Sequence, residues 1–368
     1  MVLGPIPFND LSRGIDGIRG DIDAAIARVI SSGWFVLGPE HDALEHEIAQ
    51  YVGTQHAVNV GNGTDALELA LSALGVTVGS VVFTVANAGA YTSSAALLLG
   101  AEPVFVDVDP STHLMSGASL EAALVACEQL PAAIVVTHLY GALAPMPEIM
   151  QVARKHGVAV LEDCAQSLGA RWGDTMGGSF GDIATTSFYP TKNLGALGDG
   201  GAVFTNSSDL AARVRHMRQY GWESKYSIEH AHGRNSRLDE IQAAVLRAKL
   251  PLLEEKNARR RQIHQQYEDA VPAGFRMVNT SNSAFTAHLA VVECSEPDTA
   301  RRALKARGIS TDVHYPIPDH QQKFPGFNPR QMPLAVTEHL ATRIFTLPLF
   351  PELTEDEVLH VCESLRTL

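Results

Sequence analysis

The stretch "SFYPTKNLGALGDGGA", residues 187–202, sets one lysine among small, apolar and hydroxyl residues, with glycines at 195, 198, 200 and 201. An ammonium loses hydration in such surroundings. Lys192 therefore either pairs with a carboxylate such as Asp199, or its pKa falls and it becomes a nucleophile. The runs "TTSFYPT" (185–191) and "GGAVFTN" (200–206) around it read as short strands. Working outward, "HAVNV" (56–60), "GSVVFTV" (79–85), "PVFVDVD" (103–109), "AAIVVTHLYG" (132–141) and "VAVLEDCAQ" (158–166) are further β-rich runs. Helical stretches such as "GNGTDALELALSALGV" (61–76) and "MPEIMQVARKHG" (146–157) separate several of them. Strand and helix alternate, which predicts an α/β domain with a mainly parallel sheet.

At 368 residues, 45% hydrophobic and 19% charged, the chain exceeds the usual single-domain size. Two domains are expected, a large one over 1–250 and a small one over 251–368. Ahead of the first strand, helical spacing over 21–30 breaks at "SSGWFVLGPE" and resumes in "HDALEHEIAQYVG". After Leu250 the texture changes. "PLLEEKNARRRQIHQQYEDA" (251–270) reads as a long polar connector helix, whose run Arg259, Arg260, Arg261 is either a solvated face or a nucleotide contact. Beyond it come the strand-like "AFTAHLAVVEC" and "STDVHYP", a helix at "PDTARRALKARG", and a last helix in "LTEDEVLHVCESL" with Thr354 and Glu357 as a capping box. This is a small α+β unit.

Net charge of −13 argues against general nucleic-acid binding, while a few local Arg or Lys residues could still hold an anionic small molecule. The four cysteines, at 127, 164, 294 and 362, form no CxxC pair and no zinc-spaced cluster, so no structural metal is expected. No run is long and apolar enough for a bilayer, and "MVLGPIPFNDLSRG" lacks the pattern of a signal peptide. The expected location is cytoplasmic.

Three groups carry the chemistry. In "VNVGNGTDALELAL" (58–71), Gly63, Thr64 and Asp65 stand at a glycine-rich turn opening a helix, where free N–H groups and the helix dipole suit a phosphate. An ordinary N-cap by Asn62 or Thr64 is the plainer reading. The turn lacks the Gly-Lys-Ser/Thr of a Walker loop and the GxGxxG of dinucleotide folds. In "VAVLEDCAQSLGA" (158–170), a strand delivers Asp163 at its carboxyl end, as a ligand group or as a structural cap or ion pair. With Lys192, these are the parts that pyridoxal phosphate requires: a Schiff-base amine, a partner for the pyridine nitrogen and a phosphate cradle.

The segments "EDCAQSLGA" (162–170), "SFYPTKNLGALGDGGAVFT" (187–205) and "GRNSRLDEIQAAVL" (233–246) resemble the DegT/DnrJ/EryC1/StrS family of pyridoxal-phosphate sugar aminotransferases. The likeness runs from "GWFVLGPEHDALEHEIAQYVG" (33–53) to "VHYPIPDHQQ" (313–322) and "LPLFPELTEDEV" (347–358), nearly the whole chain. It implies a fold-type I aminotransferase with a seven-stranded central sheet, a small carboxy-terminal domain, and a homodimer with active sites at the interface. By the same resemblance, Lys192 forms the internal aldimine, Asp163 faces the pyridinium and Gln166 the phenolic oxygen. Gly63, Thr64 and Ser187 bind the phosphate, which Asn235 reaches from the neighbouring subunit, and Asn193 joins the cofactor set. Tyr91, in "NAGAYTSSA", stacks on the cofactor or packs in the core. His314 and Tyr315 either meet substrate or shape a turn. Lys225 and Tyr226, on a polar loop between two helices, and Arg237 are substrate candidates.

The implied reaction moves an amino group from L-glutamate to a nucleotide-linked keto-6-deoxyhexose, the motifs looking most like the branch that aminates C3 of dTDP-3-keto-6-deoxyhexoses. A C4 keto sugar or a keto-cyclitol is the alternative acceptor. Lys192 speaks against the lysine-less dehydratase branch. A sensor on the same scaffold would be expected to lose the lysine or carboxylate, or to gain a DNA-binding segment.

Overall fold

Seven strands form the central sheet: β1 (His56–Val60), β2 (Val81–Val85), β3 (Glu102–Val106), β4 (Ala133–Thr137), β5 (Ala159–Asp163), β6 (Ile183–Ser187) and β7 (Gly201–Thr205). Their order across it is β1-β7-β6-β5-β4-β2-β3. Strands β2 to β6 pair in parallel, and β7 lies antiparallel between β6 and β1. This is a computed structural model describing residues 4–323, 327–330 and 332–368, so the first three residues of the amino-terminal stretch read above lie outside the described residues.

Both faces are covered, as a parallel sheet requires. Successive side chains alternate between two cores. Val82, Val135 and Leu161 pack with residues of helices Gly63–Ala73, Tyr91–Leu98 and Ser208–Met217. Their neighbours Phe83, Ile134, Val136 and Val160 face the other way, toward helices Gly117–Ala126 and Met146–His156. A second, antiparallel sheet follows from β8 (Arg276–Met277), β9 (Ala290–Glu293) and β10 (Ile344–Leu347). The expected α/β fold, with seven mainly parallel strands and a smaller carboxy-terminal sheet, is the observed one. Among the described residues, no helix is long and apolar enough to cross a membrane.

Distant residues finish the helices. The buried carboxylate of Glu240 accepts from the backbone N–H groups of Gly38 (2.8 Å), Glu40 (3.0 Å) and His41 (2.8 Å), satisfying the first turn of helix Pro39–Val52. The capping box of Thr354 and Glu357 opens the last helix, Glu355–Leu365.

Three expectations change. The stretch 310–316 is not a strand and gives only a single bridge, Asp312 to Thr346. Part of the polar loop 220–240 folds into a hairpin, Trp222–Ser224 against Ser227–Ile228. Helix Leu253–Glu268 is not a solvated connector, because Leu253, Asn257, Arg260, His264 and Tyr267 form one buried stripe at helical spacing. Each of three polar side chains in that stripe finds a partner inside: Asn257 Nδ2 donates to Leu168 O (3.1 Å), Arg260 Nη1 to Leu349 O (2.8 Å) and Tyr267 Oη to Pro348 O (3.0 Å). On either side of Arg260, Arg259 pairs with Glu355 (2.9 Å), and Arg261 donates to Phe285 O (3.4 Å).

His264 in this stripe is packed edge-on against Phe285 and bonded to Ser281 Oγ (3.1 Å). Burial pushes its pKa down to about 4. The unfolded chain therefore binds more protons than the folded one between about pH 6.5 and 4, and stability falls as pH drops through that window. The full effect is up to about 3 kcal/mol. Thermal unfolding across this range should show a smaller acid loss in His264→Gln than in wild type. Equal losses would assign the acid sensitivity elsewhere.

Candidate active site

Parallel strands bring functional groups to their carboxyl ends. β5 ends at Asp163, β6 ends at Ser187 and runs into the loop carrying Lys192, and β1 leads through Asn62 into the helix starting at Gly63. These ends meet at a cavity of about 600 Å³. Gly63, Thr64, Tyr91, Asp163, Gln166, Ser187, Lys192, His314 and Tyr315 all line it.

At the helix turn, Asn62 is the N-cap, its Oδ1 accepting from Asp65 N (2.8 Å). The N–H groups of Gly63 and Thr64 belong to the first turn and have no partner within the helix. Close approach here needs glycine. A Cβ on Gly63 would stand 2.7 Å from Ser187 Cβ, and one on Gly201 would stand 2.5 Å from Asn62 O. The result is a cradle of free N–H groups beside the Ser187 hydroxyl, at the positive end of a helix.

Asp163 is 6% exposed and accepts from Ala165 N (3.1 Å). Burial raises its pKa, and the Ala165 bond and the charge of Lys192 pull against that rise. Lys192 is half-buried on the cavity wall. Its pKa is lowered by burial, with Asp163 opposing. Among the described residues its Nζ makes no hydrogen bond or ion pair, so Asp199, though on the same cavity, is not its partner. Lys192 is thus a desolvated amine facing the cavity, an environment that favours a nucleophile.

Gln166 is held at both ends. Its Oε1 accepts from Tyr140 N (2.6 Å), and its Nε2 donates to Tyr315 Oη (3.0 Å), leaving one N–H uncommitted. Tyr315 presses on Gly89, where a Cβ would lie 2.9 Å from the ring. His314 stacks on Phe8 and bonds Thr346 Oγ1 (2.9 Å). Tyr91 is not a core residue. It begins helix Tyr91–Leu98, is 51% exposed, and meets Tyr315 edge-on at 6.3 Å.

Other expected residues lie elsewhere. Asn193 is turned away from the cavity lining, donating to Asn257 Oδ1 (2.7 Å) and Thr286 O (3.2 Å) and offering Oδ1 to His288 Nδ1 (2.8 Å). It orients His288 instead, which does line the cavity. Lys225, Tyr226, Asn235 and Arg237 are outside this chain's cavity. Tyr226 is 77% exposed, under the Lys225 ammonium, and Arg237 sits over the Tyr220 ring. Asn235 is exposed between two anchored neighbours: Arg234 pairs with Glu68, and Ser236 Oγ donates to Asp65 Oδ2 (2.6 Å). Sequence reasoning missed Phe8, Tyr189, His288 and the cavity-facing side of Arg260. Only Tyr189 had a local signal, next to the lysine motif; the other three arrive from far along the chain.

The donor set suits an aromatic phosphate ester with a basic ring nitrogen and a carbonyl: N–H cradle, buried carboxylate, free amine. That is the chemistry of pyridoxal phosphate, so the residues present fit it.

Comparison with known proteins identifies the family. Residues 16–366 match the model of the DegT/DnrJ/EryC1/StrS aminotransferase family. The chain is 40% identical over 371 residues to the UDP-N-acetyl-3-dehydro-alpha-D-glucosamine 3-aminotransferase of Acidithiobacillus ferrooxidans, covering 98% of this chain and 97% of the relative. It is 38% identical to the dTDP-3-amino-3,4,6-trideoxy-alpha-D-glucose transaminase of Streptomyces venezuelae, covering 98% and 95%. The crystal structure of S. venezuelae DesV in complex with a ketimine intermediate superposes with a TM-score of 0.93 at 38% identity, covering 99% and 98%. With the motifs, the fold and the convergence of Lys192, Asp163 and the Gly63 turn in agreement, this chain belongs to the DegT/DnrJ/EryC1/StrS aminotransferase family, whose members depend on pyridoxal phosphate.

Proposed function

We propose that this enzyme transfers the amino group of L-glutamate to C3 of a dTDP-3-keto-6-deoxyhexose. The carrying observation is the convergence of Lys192, Asp163 and the open helix turn at Gly63 and Thr64 on one cavity. The intact lysine and carboxylate favour an enzyme over a sensor on the same scaffold. Support for C3 comes from the relatives, which include 3-amino-sugar enzymes on both dTDP and UDP sugars. UDP-linked acceptors, C4 keto sugars and keto-cyclitols are the alternatives.

Bound pyridoxal phosphate supplies an electrophilic carbonyl and an electron-withdrawing ring. Gly63, Thr64 and Ser187 hold its phosphate, Gln166 gives its spare N–H to the phenolic oxygen, and Tyr91 covers the ring. Asp163 keeps a proton on the ring nitrogen, where a buried carboxylate gains most from a cationic partner. Lys192 carries the proton moved during the reaction on Nζ, whose pKa burial lowers against the pull of Asp163. His314 and Tyr315 line the acceptor side. The enzyme works as a cytoplasmic homodimer: Asn235, pinned through Arg234 and Ser236 yet exposed, reaches the partner's phosphate site, and Lys225, Tyr226 and Arg237 meet the partner's substrate.

The test is the visible spectrum of the holoenzyme. Absorption should fall with L-glutamate and return with a dTDP-3-keto-6-deoxyhexose; failure of the second step alone would rule out this acceptor. Lys192→Ala should lose turnover by at least about 1,000-fold and keep its fold by circular dichroism. In Gly63→Ala the added methyl crowds Ser187, and equilibrium dialysis should find pyridoxal phosphate held at least about tenfold more weakly. Mixed dimers of Lys192→Ala with Asn235→Ala should regain about a quarter of wild-type sites, because half the dimers are mixed and each then has one intact site. No recovery would place Asn235 at its own chain's site.

A further inference from the structure

A buried guanidinium is costly unless an anion accompanies it. Arg260 is 6% exposed, yet among the described residues no carboxylate oxygen lies within ion-pair distance of it. Its one hydrogen bond goes to a neutral acceptor, Leu349 O, and its Nε is buried with no partner. Desolvation lowers its pKa to about 10, with Glu352 the favourable charge opposing.

Its location supplies the missing partner. Arg260 lines the main cavity together with Lys192, His288 and Leu349. It also lines a second cavity of about 250 Å³, which shares Asn9, Thr191 and Lys192 with the first and adds Lys249, Lys256, Asp10 and Glu352. The two carboxylates there are spent, Glu352 on Lys256 (2.7 Å) and Asp10 on Arg13 (3.2 Å). Lys249 gives Nζ to a carbonyl, Gly195 O (2.7 Å), and burial brings its pKa down to about 8. Among the described residues, the wall behind Lys192 thus holds two basic groups, Arg260 and Lys249, with no carboxylate oxygen within ion-pair distance.

We propose that Arg260 is the subsite for a carboxylate of the amino-acid donor, which enters with its amine toward Lys192 and one of its carboxylates against the guanidinium. This rests on the aminotransferase reading above. A planar fork with unspent N–H groups matches a carboxylate in two bonds, which an ammonium cannot copy. The keto sugar has no carboxylate to place there, so the subsite serves one half-reaction and leaves the other alone. Arg260 thereby becomes a specificity determinant on a helix whose sequence reads as a polar connector.

The test compares wild-type holoenzyme with Arg260→Gln and Arg260→Lys. Calorimetric binding of succinate, an unreactive carboxylate, should weaken at least about 100-fold in Arg260→Gln. The kcat/KM of the L-glutamate half-reaction should fall by a similar factor. Binding of dTDP or UDP, whichever wild type holds, should stay within about threefold. Arg260→Lys, which keeps the charge, should retain part of the succinate affinity and guards against a misfolded glutamine variant. Unchanged succinate binding would overturn the assignment, as would equal losses of succinate and nucleotide binding, which mark a purely structural arginine. If wild type does not react with L-glutamate but succinate binding still depends on Arg260, the subsite stands and the choice of donor fails.

Discussion

Everything at the site depends on keeping an acidic group, Asp163, where water barely reaches. Burial alone raises its pKa, because the charged form loses hydration. The strand that carries it solves a related problem one residue earlier, since Glu162 and Asp163 alternate to opposite sides of β5. Glu162 is completely buried, and its charge is absorbed by the backbone N–H groups of Gly178 (3.0 Å), Phe180 (2.8 Å) and Gly181 (2.8 Å) and by His138 Nε2 (3.0 Å). His138 in turn accepts from Ala144 N through Nδ1 (3.2 Å), which fixes its tautomer with the proton on Nε2. One carboxylate is saturated and structural. The other, with a single backbone donor, is left in need of a cation, and that need is what makes the cavity chemically directed.

The opposite wall comes from the carboxy-terminal part of the chain and is bolted to the sheet by the same kind of bond. Asp319 accepts from Ala90 N (2.8 Å) and Ser93 Oγ (2.6 Å), and burial pushes its pKa up to about 6. It clamps the turn after Tyr315 to the start of the Tyr91 helix. Tyr140 Oη donates to His314 O (2.8 Å), while Gln166 spans Tyr140 and Tyr315. The residues expected to meet cofactor and substrate are therefore positioned by one another. A change at Gln166 acts on Tyr315 as directly as on anything bound.

Much of this was legible in sequence, for identifiable reasons. The alternation of strands and helices follows from local apolar periodicity, and the Gly63 turn, Asp163 and Lys192 are each marked by contiguous residues. What escaped were side chains whose role arises from distant partners. Asn193 sits beside the lysine in sequence, yet its amide is consumed by Asn257, Thr286 and His288. Arg260 looks like one member of a basic run, and only the fold reveals that it faces inward while its neighbours bind Glu355 and Phe285 O.

The sequence by itself determined the fold class and marked the lysine, the carboxylate and the glycine-rich helix turn, because backbone sterics, hydrophobic period and glycine placement act over a few residues. The tertiary structure decided which groups share the cavity, which carboxylate is saturated with donors and which has one, and that the buried Arg260 has no carboxylate partner among the described residues. Those outcomes depend on desolvation and on hydrogen-bond partners tens to hundreds of residues away, and neither is written in any local stretch of the chain.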